Sequence, residues 1–364
     1  MSLPVTAPRF RCPACIHRKR GAKIFQQDKL HYKKREITTT NREFDRTMST
    51  YTPAGVIPAT LMAFHDDFSI DESSARKHLR DVAAVAGLNA ITVNGHASEV
   101  HACTFAEQQR ILAFSLDEIG TQLPLINGVY TDGSLQAADI ARMAEREGAS
   151  ALLVFPPGSM ARGGHLRPEM ALTHFKMIAE ATDLPLILFQ YPASTGLGYP
   201  LDTLIRLVEE IPSLQAIKDW SNDPALHERQ THTLQTLSRP VTMLTTHSAW
   251  LMASLCMGAN GLLSGAGSVV ADLQVALFNA IKAGDLNRAQ ALNERYRPVA
   301  QAFYAPPLLD MHNRMKECLV LLGRLPKAVV RPPLVKLPDS EIQALRAALQ
   351  ASGITRDGAL LQAA

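Results

Sequence analysis

The sequence predicts an α/β protein of the (β/α)8 class, a TIM barrel with a helical extension at its carboxyl end. Three observations lead there. From Gly55 onward, eight short apolar runs recur mostly about every 30 residues. Amphipathic stretches with apolar residues at helical spacing lie between them. The fingerprint of an open dinucleotide-binding sheet, G-x-G-x-x-G joining a first strand to its helix, does not occur. Regular strand and helix alternation favours a parallel sheet, and eight units favour its closure into a barrel.

In chain order, residues 1–50 come first as a basic tail without a sustained apolar period. They are expected to be disordered, or to precede the true start at Met48; a transit segment or a nucleic-acid arm is the functional alternative. The barrel is expected over 51–282. Its strands are read at 56–61, 90–93, 124–128, 151–155, 185–189, 215–218, 241–244 and 261–264, runs apolar enough to be buried on both faces. Helices are read at 73–86, 105–119, 135–147, 168–181, 201–211, 224–237 and 249–257. In the fifth of these Leu201, Leu204, Ile205, Val208 and Ile211 form one stripe, an ordinary core face. Residues 283–364 are expected to add a helical bundle, with helices at 283–303, 309–322 and 340–351. Pro326, Pro332 and Pro333 keep the connector 323–337 extended.

Composition bounds the function. With 364 residues, 46% hydrophobic and 20% charged, the chain can bury a large core. No apolar run reaches the roughly 18 residues of a membrane span. The net charge of +3 divides unevenly: residues 1–47 hold 12 Lys and Arg against 4 Asp and Glu, leaving 25 against 30 in the remainder. A mildly acidic body argues against nucleic acid or an anionic membrane as its partner. The cysteines Cys12, Cys15, Cys103, Cys256 and Cys318 are odd in number and scattered, which suggests a reducing compartment, and a cytoplasmic location is expected. Cys12-Pro13-Ala14-Cys15 is half of a zinc pattern whose other half is missing, so no metal is expected.

Chemistry in a barrel sits at the carboxyl ends of its strands. The sixth strand ends Ala216-Ile217-Lys218, and Lys218 is the only lysine among the strand ends. Period-two alternation places it with Ala216 on one face. Burial disfavours an ammonium and lowers its pKa, which suits an amine that attacks a ketone. A lysine that snorkels to the rim or pairs with Asp219 is the structural alternative. The same mouth receives Gly95, His96, Ala97 and Ser98 after the second strand, Tyr130 after the third and Tyr191 after the fifth. His247 follows the seventh strand and Gly265 the eighth.

Several pieces then recur in order: Gly55-Val56-Ile57-Pro58-Ala59 opening the first strand, Asn94-Gly95 with Glu99, Pro192 with Thr195-Gly196, and Ile217-Lys218. Met257-Gly258-Ala259-Asn260-Gly261, Met315-Lys316 and Leu321-Leu322-Gly323 follow. In these the chain resembles the dihydrodipicolinate synthase and N-acetylneuraminate lyase family of Schiff-base lyases and aldolases, from about Gly55 to Gly353. The resemblance implies that Lys218 forms an imine with a 2-oxo acid, usually pyruvate. The loop with Gly95, His96, Ala97 and Ser98 would bind the acid's carboxylate. No cofactor would be needed, and a homodimer or homotetramer would be the assembly. The family's tyrosine at the end of strand 5 is replaced by Phe189, which leaves Tyr191 as the candidate acid or base, and its arginine after that strand is replaced by Ser194. Tyr130 and His247 are expected in the distal pocket. The expectation is therefore a divergent aldolase or dehydratase of 2-oxo acids. The alternatives are a dihydrodipicolinate synthase proper and a non-catalytic keto-acid or sugar-acid binding protein on the same fold.

Overall fold

Eight strands, each buried along nearly its whole length, form the centre of the molecule in a computed structural model that describes residues 51–355. The basic tail, with Cys12, Cys15 and Met48, lies outside the described residues. The strands are β1 (Gly55–Pro58), β2 (Ile91–Val93), β3 (Leu125–Val129), β4 (Ala151–Val154), β5 (Leu186–Gln190), β6 (Leu214–Asp219), β7 (Thr242–Thr245) and β8 (Gly261–Ser264). All neighbours pair in parallel, in the order β1-β8-β7-β6-β5-β4-β3-β2. Between β1 and β2 the Thr60 N–H donates to the Thr92 carbonyl at 3.0 Å and the Asn89 N–H to the Val56 carbonyl at 3.0 Å, which nearly closes the ring. Helices occupy the outside, so both faces of each strand are covered and the strands read as continuous apolar runs.

The outer helices are α1 (Glu72–Ala83), α2 (Phe105–Ile119), α3 (Ser134–Glu147), α4 (Pro168–Ala179), α5 (Leu201–Glu210), α6 (Pro224–Gln235), α7 (Leu251–Cys256) and α8 (Gly267–Lys282). Their starts follow local chemistry. Thr104 and Glu107 cap α2 reciprocally, and the Asp71 and Asp223 carboxylates take orphan N–H groups of α1 and α6. The α8 helix has no counterpart in the periodicity reading. It buries Val269, Val270, Leu273, Val275 and Leu277 at once, because the barrel lies on one side and α9 on the other, so no polar stripe marks it.

The extension consists of α9 (Leu286–Phe303), α10 (Met311–Leu321) and α11 (Asp339–Ala351), as expected to within a few residues. They pack on α8 and on one another, and the described residues belong to one compact unit. No described helix is long and apolar enough to cross a membrane.

Candidate active site

Lys218 stands one residue before the end of β6, which places its Nζ at the mouth of the barrel. Phe189 is its register partner on β5, and the Phe189 ring centre lies 3.8 Å from Nζ. The residue is 7% exposed, and no hydrogen bond or ion pair to Nζ occurs among the described residues. Burial without an anionic partner penalises the ammonium and lowers the Lys218 pKa to about 7. A substantial share of the amine is therefore unprotonated at neutral pH.

A small cavity of about 40 Å³ opens over this amine. Gly95, His96, Ala97, Leu153 and Phe189 line it. Tyr304, Met311 and His312 also line it, contributed by the end of α9 and the start of α10. The sequence reading did not include those three, since nothing local connects residues 304–312 to the barrel mouth. Gly265 is also at the cavity, where the absence of a side chain matters: a Cβ there would sit 3.0 Å from His312 Nε2.

Tyr191 turns inward and is 7% exposed, but its hydroxyl meets His96 Nε2 at 3.0 Å and not Lys218. Burial lowers the His96 pKa well below the usual value and raises that of the Tyr191 phenol, so both are neutral near pH 7. The two groups bond to each other as a neutral pair. Tyr130 supports His96 edge-on, with ring centres 5.6 Å apart, and Phe155 packs at 4.7 Å on the same imidazole.

Ser98 differs from its expected role. Its hydroxyl donates to the Thr60 carbonyl at 2.8 Å and is fully buried, tying the β2 loop to the strand-1 end, so it does not line the cavity. The next residue, Glu99, is left-handed at φ 54° and holds the loop from behind. One of its oxygens pairs with Lys316 of α10 and the other accepts the Arg331 N–H at 2.9 Å. Lys316 also donates to the Val329 carbonyl at 2.7 Å, and the Arg331 guanidinium donates to Glu107 and to the Phe68 carbonyl.

Asp219 points away from Lys218 by strand alternation and is fully buried. It accepts the Ser221 N–H at 2.7 Å and the His227 Nδ1–H at 2.6 Å, with His247 Nε2 at 3.4 Å. Burial would raise its pKa, but the bonds from His227 and His247 hold it below the ordinary carboxylate range. Among the described residues, Asp219, His227 and His247 bring three potential metal-ligand atoms within 4.8 Å of one another. Those atoms already bond one another, and the Ser254 hydroxyl takes His227 Nε2 at 2.9 Å, so the group acts as a polar strut between β6, α6 and β7. His247 also faces a second cavity of about 380 Å³, where its ring stacks on Trp250 at 4.0 Å.

Residues 52–352 match the model of the dihydrodipicolinate synthetase family. A 4-hydroxy-tetrahydrodipicolinate synthase of Chlorobium limicola is 29% identical over 309 residues, which is 84% of this chain and 100% of that protein. An uncharacterised DapA-like lyase of Halobacterium salinarum is 30% identical over 302 residues, covering 82% of this chain and 94% of the other. Among solved structures, YagE of E. coli K12, a prophage protein of the dihydrodipicolinic acid synthase family in complex with pyruvate, aligns with a TM-score of 0.77. It has 22% identity and covers 83% of this chain and 99% of that one. A monomeric dihydrodipicolinate synthase variant aligns with the same TM-score, 0.77, at 23% identity, over 84% of this chain and 99% of its own.

Proposed function

The chain belongs to the dihydrodipicolinate synthetase family of lyases, and from that premise we propose that it makes or breaks a carbon–carbon or carbon–oxygen bond of a 2-oxo acid through an imine on Lys218. The observation that carries this reading is the buried, unpaired Lys218 amine, lowered to about 7 and facing a cavity. An idle lysine would not be kept desolvated at a cost.

The amine adds to the ketone carbonyl and water leaves, giving an iminium. Loss of a proton from the adjacent carbon yields an enamine, with the iminium nitrogen as electron sink. The enamine carbon attacks an aldehyde, the new alkoxide takes up a proton, and water hydrolyses the imine to release the product and the lysine. Read backwards, the same steps cleave the carbon–carbon bond. In a dehydratase the substrate's own hydroxyl leaves as water in place of the aldehyde step.

Phe189 has no proton to give, which leaves His96 at the cavity, held by its 3.0 Å bond to Tyr191, as the candidate group for the proton transfers. The backbone of Gly95, His96 and Ala97 receives the substrate carboxylate beside the amine, in place of Ser98, whose hydroxyl is engaged elsewhere. A dihydrodipicolinate synthase proper is disfavoured because no arginine lines either cavity.

Borohydride reduction in the presence of pyruvate or a longer 2-oxo acid, followed by mass spectrometry, tests this. A single adduct mapping to Lys218, absent from Lys218→Ala, is expected. Its initial rate of formation should rise with pH through about 7 as the amine loses its proton. If no 2-oxo acid leaves an adduct, the imine mechanism is wrong and a non-catalytic binding role takes its place.

A further inference from the structure

Trp220, Thr246 and Tyr304 line both cavities, so the outer chamber adjoins the one that holds Lys218. What the outer chamber offers is chemically narrow. Across the linings of both chambers Lys218 is the one cationic side chain and no carboxylate takes part. The histidines there are His96, His312 and His247. Burial lowers the pKa of each, with His312 falling to about 3, so all three are neutral at pH 7. A second carboxylate or a phosphate in that space would be stripped of water with no cation to meet it, which is costly.

Much of the remaining lining is aromatic. Trp220 meets Tyr191 edge-on, with ring centres 5.4 Å apart, which fixes one wall. Trp250 is held in place by its stack on His247, the rings 18° from parallel, and its ring is 5.4 Å from His227. Tyr304 adds a third aromatic ring to the lining of both chambers. Aromatic walls of this kind favour an aromatic guest by offset or edge-on packing. Asn222, Thr246 and Ser248 add neutral polar residues to the lining, suited to a phenolic or carbonyl oxygen.

We propose that the aldehyde partner in this reaction is uncharged and aromatic. The proposal rests on the imine reading of Lys218 and adds the identity of the second substrate. The step conserves all atoms: the pyruvate enamine carbon bonds to the aldehyde carbon of an aryl aldehyde, the aldehyde oxygen takes up a proton, and hydrolysis of the imine returns the water lost in its formation. The product is a 4-aryl-4-hydroxy-2-oxobutanoate, and the reverse direction releases pyruvate and the aryl aldehyde. No oxidant or further reactant is required.

The test uses the full chain and two separate readouts. Pyruvate trapping on Lys218 is measured first. Pyruvate consumption is then followed with benzaldehyde, with the anionic glyoxylate and with the small neutral glycolaldehyde. The kcat/KM for benzaldehyde should exceed that for either of the others by about tenfold, the preference expected from one good aromatic contact. Trp250→Ala should raise the KM for benzaldehyde more than it lowers kcat. Trapping of pyruvate together with an equal or better rate for glyoxylate would overturn the aromatic assignment and leave the imine reading intact. Absence of trapping would remove both.

Discussion

The Phe189 ring covers the Lys218 amine, its centre 3.8 Å from Nζ, and the covering has a measurable cost. Lys218 is lowered to about 7 in the folded chain, against about 10.4 when unfolded. Below pH 7 both states are protonated and the folded state bears the full desolvation cost. Between pH 7 and about 10.4 the unfolded chain binds more protons, so stability rises with pH, and above that range the cost is gone. At about 1.4 kcal/mol per unit, the cost is on the order of a few kcal/mol. Lys218→Met should therefore stabilise the protein against urea most at pH 6, with the gain shrinking toward pH 9.5. A gain that does not change with pH would mean that the lysine is not desolvated. Lys218 was legible in the sequence because it ends an apolar run, and Tyr191 because strand alternation puts it on the face of Phe189. Tyr191's bond to His96 was not legible, nor was the commitment of Ser98 to Thr60, because both depend on how loops from different strands meet.

The strand β6 does two jobs on its two faces. Lys218 serves the mouth, and Asp219 braces the strand against its neighbours through His227 and His247. Charge-assisted bonds of this kind contribute about 1.5–3 kcal/mol each. Asp219→Asn keeps the size of the side chain but loses the charge, so it should destabilise the fold by on the order of 2–3 kcal/mol in urea titrations. Pyruvate trapping at Lys218 should slow in the same variant as the strand end loses its brace. An unchanged denaturation midpoint would show that the strut carries no load. The eight strands were legible because each is a short apolar run, whereas α8 was not, because a helix covered on both sides has no polar stripe. The Asp219 group was equally silent, since His227 and His247 come from different elements that only the closed barrel brings together.

Among the described residues, one buried ion pair joins the barrel to its extension. Glu99 and Lys316 are 217 residues apart in sequence and both essentially inaccessible, and Arg331 completes the set. Removing one partner strands the other charge, so Lys316→Met should cost about 3–5 kcal/mol. Glu99→Gln with Lys316→Met should recover part of that loss in equilibrium denaturation, and a double variant no more stable than the single one would dismiss the coupling. The barrel and the three tail helices were legible as separate periodic segments, while their fusion was not, because an ion pair across 217 positions leaves no local pattern. Tyr304, Met311 and His312 line the cavity beside Lys218 although they belong to the end of α9 and the start of α10. The pocket is therefore shared property: the barrel supplies the amine, the extension supplies part of the wall, and only their docking makes the enclosure whole.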